Sequence, residues 1–281
     1  MPWEGIIFFF LFGTIAGSFL NVLTLRHGAS GLSGRSRCLS CGKTLAWSEL
    51  IPLLSFFLQR RRCRGCKSRI SWQYPLVELA TGLIFALVFW KHFSVLPLFS
   101  YSVIQLLVVC LELLLWSVLI ALAVYDIRHK IIPNSFVYGL CFFSFLYLIT
   151  SYFIFHTSYF LDFWGGPLLA LALAAVWFFS HGRAMGLGDA KIVLGMGWFM
   201  GFVGGLSAFV LGFWLGALYA IAALLLRFVS SRAPFCPELK SRLKNLTLKS
   251  ELPLAPFLIA GTLVVYLTGV DVTGLGILLK M

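Results

Sequence analysis

The chain has 281 residues, of which 60 % are hydrophobic and only 11 % charged, and its mean hydropathy is +0.95. A soluble globular domain has no interior large enough to hide that much apolar surface, so the composition requires several membrane spans. The formal charge of +12 does not point to nucleic acid, because no soluble basic domain is large enough to carry such a function.

Apolar runs predict about eight transmembrane helices, over residues 3–25, 75–91, 101–125, 134–154, 165–181, 190–203, 206–227 and 252–270. The fold class is therefore an all-α polytopic membrane protein. The first run has no basic residue before it and reads as a span rather than a cleaved signal. With the N-terminus outside, 20 of the 22 Lys and Arg residues fall on the cytoplasmic side, and only Lys91 and Lys280 face out. That asymmetry sets the expected orientation, with both termini periplasmic.

The first span closes with Gly17-Ser18-Phe19-Leu20-Asn21-Val22. Small residues there let another helix approach closely, and Asn21 is placed to hydrogen-bond across the contact. Residues 26–74 then form one sizeable polar insertion with ten basic residues against a single acid, Glu49. Arg60-Arg61-Arg62 is expected to rest on anionic headgroups. The insertion carries Cys38-x2-Cys41 and Cys63-x2-Cys66, 21 residues apart. Two such pairs predict one tetrahedral zinc site with four thiolate ligands. Disulfides are the competing reading, and a reducing cytoplasm disfavours them. Cys110, Cys141 and Cys236 show no pairing pattern and read as small apolar residues.

Tyr74-Pro75-Leu76-Val77-Glu78 opens the second span, with a proline and an acid that suit a first helical turn. Glu78 is at once a helix-start acid and a candidate site residue, at the membrane depth expected for Asn21, Asp126 and Asp189. In the third span Gln105, Glu112, Leu119 and Asp126 recur every seven residues and share a face. Glu112 would lie about 21 Å from Asp126 along the helix. Asp126 ends that span, and Pro133-Asn134 starts the next. Met185-Gly186-Leu187-Gly188-Asp189-Ala190-Lys191 is a glycine-framed polar break where another span begins. Acids at membrane-helix ends are functional candidates by default, and two at one membrane face suggest a dyad that activates water. Gly186 and Gly188 would allow close backbone approach to whatever Asp189 acts on, and Lys191 would support the ionised form of Asp189 or reach the headgroups. Because Asp126 follows a helix and Asp189 precedes one, the helix dipoles suggest Asp189 as base and Asp126 as acid. The span after Asp189 has only about 14 residues before Gly204-Gly205, too few for a 30 Å core. A basic connector over 228–251 leads to Leu252-Pro253-Leu254-Ala255-Pro256-Phe257.

These residues resemble the type IV prepilin peptidases, membrane aspartic proteases that also N-methylate their product. The likeness runs over almost the whole chain. It rests on Gly17-Ser18-Phe19-Leu20-Asn21-Val22, both cysteine pairs, Ile70-Ser71-Trp72-Gln73-Tyr74-Pro75-Leu76-Val77-Glu78-Leu79, Asp126 with Pro133-Asn134, and Gly186-x-Gly188-Asp189-x-Lys191. The chain departs at Pro253-Leu254-Ala255-Pro256, where the family usually reads Pro-Phe-Gly-Pro; no catalytic role is expected to depend on that glycine.

The resemblance implies a first helix (1–25), a cytoplasmic four-cysteine zinc loop (26–74) and a seven-helix peptidase core (75–281) in a bacterial inner membrane. It implies Asp126 and Asp189 as the catalytic pair at the cytoplasmic face, with Asn21, Glu78, Gly186, Gly188 and Lys191 in substrate or supporting roles. The substrates implied are type IV prepilins and type II secretion pseudopilins. S-adenosylmethionine would be the methyl donor, bound near the 26–74 loop by residues that the sequence does not reveal, since no Rossmann-type glycine motif is present. Membrane lipid is the other expected partner, and nucleic acid is not one. The rival reading is a proton- or cation-coupled transporter using Glu112, Asp126 and Asp189, and a third is a non-catalytic zinc-loop adaptor.

Overall fold

The computed structural model describes residues 2–28, 34–93, 103–155, 159–183, 185–232 and 253–275. Cys236, Lys280, Leu252 and most of the predicted 228–251 connector lie outside the described residues. The helices are α1 (Pro2–Arg26), α2 (Leu54–Leu58), α3 (Gln73–Phe93), α4 (Val103–His129), α5 (Asn134–Phe155), α6 (Tyr159–Phe179), α7 (Leu187–Arg232) and α8 (Ala255–Thr268), with a 3-10 turn at Trp47–Glu49. Among the described residues six helices are long and apolar enough to cross a membrane. α8, with 14 residues, is shorter than a hydrocarbon core at 1.5 Å per residue.

Two compact units emerge, one of Met1–Val124 with Ile149–His156 and one of Tyr125–Leu148 with Thr157–Met281. In the first, α1 lies against α3 along a seam of small residues. A side chain at Gly13 would meet the Thr81 carbonyl at 2.7 Å, and one at Gly17 would meet the Glu78 Cα at 2.8 Å. Glycine is what lets these two backbones touch, as expected for helices that cannot use hydrophobicity to find each other in lipid. Farther along, Phe9, Phe89 and Phe93 stack, with Phe89 4.9 Å from each of the other rings.

The second unit uses the same device twice. Gly166 of α6 faces the Leu194 carbonyl of α7 at 2.6 Å, and Gly197 faces the Gly166 Cα at 2.6 Å. Gly212 of α7 faces the Leu258 Cα of α8 at 2.7 Å. Between these seams Leu140, Ile192, Val193, Met196 and Leu258 are fully buried.

α7 is two helices joined at a break, and the break falls at Gly201 rather than at the predicted Gly204-Gly205. Gly201 has φ 73° and ψ 176°, a conformation reserved essentially for glycine. The cause lies 40 residues upstream. Asp162 of α6 presents its Oδ1 to the Phe202 N–H at 3.4 Å, capping the second limb, and occupies the space a Gly201 side chain would need. The first limb, Leu187 to Met200, is as short as the sequence predicted. The second continues to Arg232, so the predicted connector begins as helix.

Replacing Gly201 by alanine should destabilise the protein by about 1–3 kcal/mol, through forced positive φ and collision with Asp162. Thermal unfolding in detergent, with Gly204→Ala as the comparison, reads this directly: if Gly204→Ala costs more, the break is misplaced.

Candidate active site and metal-binding knuckle

Asp126 sits in the last turn of α4, where its carbonyl accepts the Lys130 N–H at 2.8 Å and Lys130 turns the chain with φ 53°. Its side chain is only 5 % exposed. Oδ2 accepts the Ala255 N–H, the first of α8, at 3.1 Å. Asp189 stands in the first turn of α7, 9 % exposed, and its carboxylate accepts the backbone N–H of Gly186. That is half of a capping box, in which an acid in the first turn reaches back to the residue before the helix. The two carboxylates lie in the same unit and within direct electrostatic reach of each other.

This geometry changes the expected division of labour. The dipole reasoning placed Asp126 in the negative field of the α4 C-terminus. Its carboxylate also meets the first amide of α8, as Asp189 meets the amide just before α7, so the dipole of α4 alone does not separate acid from base. Ala255 is also the residue that replaces the family's glycine. The bond to Asp126 is made by the main-chain N–H, which glycine and alanine both supply, so the departure leaves it in place. Only the proline-framed start of the last helix hinted at it.

The motif glycines have separate jobs. A side chain on Gly188 would meet Ile132 Cδ1 at 2.8 Å and Cβ at 2.9 Å, so this glycine serves close packing rather than approach to a ligand. Gly186 faces the Asp189 carboxylate at 3.5 Å and the Gly188 nitrogen at 3.9 Å, both at ordinary contact distance. Lys191 is engaged with a neighbouring helix start. Its Nζ donates to Asn134 Oδ1 at 2.9 Å, tying the start of α7 to the start of α5.

Asn21 and Glu78 come together in the first unit, on the α1–α3 seam. Asn21 is buried, and its Nδ2 donates to the Tyr74 carbonyl at 3.2 Å across the contact. Buried Glu78 accepts the Leu53 N–H at 2.7 Å and a hydrogen bond from Ser18. Leu53 has φ 59°, so Glu78 clamps a strained turn. Both residues hold the base of the cysteine insertion to the membrane helices. Glu112, the acid the transport reading needs at a second depth, is fully buried against His92, with Nε2 to Oε2 2.8 Å. It is engaged within the first unit, in a pair with His92.

The insertion is built from two copies of one turn, 25 residues apart. Arg37 bridges Thr44 as Arg62 bridges Arg69. The Cys38 N–H donates to the Lys43 carbonyl at 2.9 Å, and the Cys63 N–H to the Ser68 carbonyl at 2.9 Å. Gly42 (φ 71°) and Lys67 (φ 60°) occupy the same left-handed position in each copy. The four Sγ atoms of Cys38, Cys41, Cys63 and Cys66 all lie within 4.8 Å of one another, with Cys38 and Cys66 at 3.8 Å. Tetrahedral Zn–S bonds of about 2.3 Å require sulfurs about 3.8 Å apart, so the cluster fits such an ion. The N–H groups of Cys41 and Ser40 pull the Cys38 thiol down to about 6. The Lys43 N–H acts in the same sense on Cys41, but the crowding Cys66 and Cys38 sulfurs outweigh it and push that thiol up to about 11. Glu49 ties off the first turn: it accepts the Ala46 N–H at 2.9 Å and pairs with Lys43 at 3.6 Å, which holds its carboxyl below the usual range. Arg61 folds back onto the insertion. It donates to the Ile70 carbonyl at 3.1 Å and stacks over Trp72 at 5.4 Å.

A helical membrane protein with two buried, amide-held carboxylates in one unit and a four-thiol knuckle in the other fits the membrane aspartic-protease class. Comparison with known proteins makes this specific. Residues 11–92 match the bacterial peptidase A24 N-terminal domain, and residues 113–221 match the type IV leader peptidase family. A prepilin leader peptidase/N-methyltransferase of Bacillus subtilis is 33 % identical over 268 residues, covering 92 % of this chain and 93 % of that protein. A protein of the same description from Myxococcus xanthus is 45 % identical over 133 residues, covering 46 % of this chain and 36 % of its own length. Another, from Klebsiella pneumoniae, is 30 % identical over 203 residues, covering 69 % and 84 %. The chain belongs to the type IV leader peptidase family. No solved structure matches it.

The two motif glycines should separate in a stability assay. Gly188→Ala, which must displace Ile132, should cost about 1–3 kcal/mol, while Gly186→Ala should leave the unfolding temperature nearly unchanged. Equal effects would mean that the packing role assigned to Gly188 is wrong.

Proposed function

We propose that this protein is a membrane aspartic endopeptidase that removes the leader peptides of type IV prepilins and type II secretion pseudopilins at the cytoplasmic face of the bacterial inner membrane. It then N-methylates the new N-terminal residue with S-adenosylmethionine as donor. The observation that carries this reading is the buried pair Asp126 and Asp189, held in one unit by the first amide of α8 and the amide just before α7.

In the proposed reaction the two carboxylates share a water molecule. The ionised member takes a proton from the water as its oxygen attacks the scissile carbonyl. The protonated member hydrogen-bonds to that carbonyl, and a proton passes to the leaving amine as the C–N bond breaks. No covalent intermediate forms. The amides of Ala255 and Gly186 orient the two acids, and the Lys191–Asn134 bond and the Gly188–Ile132 contact hold the start of α7 in place.

The knuckle would hold one structural zinc ion through Cys38, Cys41, Cys63 and Cys66, leaving no coordination position open for chemistry. S-adenosylmethionine supplies an electrophilic methyl group. Apart from two isolated bridges there is no strand among the described residues, so the usual strand–glycine loop–helix cradle for that donor is not built here.

Purified protein incubated with a prepilin peptide, with product masses measured with and without S-adenosylmethionine, tests the activity. Asp126→Asn and Asp189→Asn should each lower cleavage by at least about a hundredfold, the scale of acid–base catalysis, while the protein stays inserted and metal-loaded. Cleavage surviving either change would end the aspartic-protease assignment.

Metal analysis should find about one zinc per chain, lost in Cys38→Ser or Cys63→Ser, with the loop then sensitive to protease because metal binding supplies its folding free energy. Chelation that stopped cleavage with the loop still intact would overturn the structural role.

For orientation, Val270→Cys in a background lacking Cys110, Cys141 and Cys236 should react with an impermeant thiol reagent in intact cells. Thr44→Cys should react only after permeabilisation. The reverse pattern would invert the topology.

A further inference from the structure

The cysteine insertion carries a feature that neither peptidase chemistry nor metal binding uses. Between its two knuckle turns, residues 47–58 expose six large apolar side chains: Trp47, Leu50, Ile51, Leu54, Phe57 and Leu58. Trp47 is 79 % exposed, Phe57 63 % and Leu58 66 %. Their spacing, with Trp47, Leu50, Ile51, Leu54 and Leu58 at i, i+3, i+4, i+7 and i+11, is that of one helical face, although the segment is a 3-10 turn, a bend and the short α2. A contiguous apolar surface of this kind marks a contact with lipid or another molecule.

Three observations identify what covers it. First, the segment is anchored at the level where α3 begins: the Leu53 N–H bonds to Glu78, and Phe56, the one buried side chain of α2, packs on Trp72 at 5.0 Å. Second, the patch continues the outward apolar stripe of α1. Phe8, Phe12, Ile15 and Phe19 are all exposed, and Ile15, Phe19 and Val22 share a single cleft with Trp47, Leu50 and Ile51. Because α1 is long and apolar enough to span a membrane, that stripe and the patch together form one lipid-facing surface. Third, the neighbouring exposed side chains are cationic, with Arg60, Arg62, Arg64, Lys67 and Arg69 following directly. Apolar side chains in the outer acyl region, with bases at the anionic headgroups, are the pattern of an interfacial anchor.

We infer that residues 47–58 insert into the interfacial layer of the bilayer and hold the four-cysteine knuckle against an anionic lipid surface. The knuckle is then not a free cytoplasmic appendage. It is attached twice, through Glu78 to the helices and through this patch to the lipid. The inference does not depend on the proposed substrates or on catalysis.

The test uses the full-length protein in nanodiscs of phosphatidylcholine with or without phosphatidylglycerol, carrying phospholipids with a diazirine near either the ester or the acyl terminus. Cross-linked peptides are mapped by mass spectrometry. Peptides spanning 47–58 should be labelled by the shallow probe and not by the deep one, and labelling should rise with phosphatidylglycerol. In the triple variant Trp47→Ser, Leu54→Ser, Phe57→Ser the loop signal should fall about tenfold, as expected for losing three large apolar contacts. Labelling of α1 should be unchanged. Bound zinc, measured in the same samples, reports that the knuckle is still folded. If the zinc-loaded wild-type loop stays unlabelled while α1 is labelled, the anchor does not exist. Cross-links from 47–58 to a second copy of the chain, in place of lipid, would also overturn it.

Discussion

A carboxylate buried among apolar helices is costly unless strong donors meet it. Here the donors are main-chain amides at helix beginnings, which have no partner within their own helix. Asp126 takes the first amide of α8, and Asp189 takes the amide just before α7. Each bond satisfies two groups that would otherwise be stranded, so the pair fixes where the helices of the second unit must start. α8 has to begin beside the end of α4, and its Pro253 and Pro256 suit that beginning because neither has an amide to lose.

Such an arrangement needs helices packed more closely than ordinary side chains allow. The glycine seams supply that closeness, at Gly166 with Gly197 and at Gly212 with Leu258. Gly188 belongs to the same logic. It lets α7 start against Ile132, and Lys191 secures the start by bonding Asn134. The polar motif around Asp189 is thus mostly scaffold for the position of the acid. Catalysis by such a pair depends on holding the acids in place, because acid–base transfer works only within hydrogen-bond reach.

The cysteine insertion solves a different problem. It is too small and too polar to fold on a core of its own, so it relies on a repeated turn, a shared metal geometry and attachment to the α1–α3 seam. Glu78 is central to that attachment. It reads as a membrane acid of the same kind as Asp126 and Asp189, yet it accepts the Leu53 amide and clamps a strained turn. Glu112 is likewise a pairing residue, bonded to His92. Among the described residues four buried membrane acids therefore divide into two held by helix-start amides and two in bonds within the first unit.

What the sequence by itself determined was everything encoded locally or by periodicity. Long apolar runs specify spanning helices because the bilayer leaves the backbone no other way to satisfy itself. The two Cys-x2-Cys pairs specify a four-sulfur cluster because two such turns bring their thiols together at a spacing that suits one tetrahedral ion. Asp126 and Asp189 stand out because acids are rare at membrane-helix ends. What only the tertiary structure decided were contacts between residues far apart in the chain. The break at Gly201 is set by Asp162, and Gly204-Gly205, although richer in glycine, has no such cap. The clamp on Leu53 comes from Glu78, and the donor to Asp126 comes from Ala255, 129 residues away. A helix end in isolation shows the field of its own dipole, but only the packed structure shows which other helix points its amides at the same carboxylate.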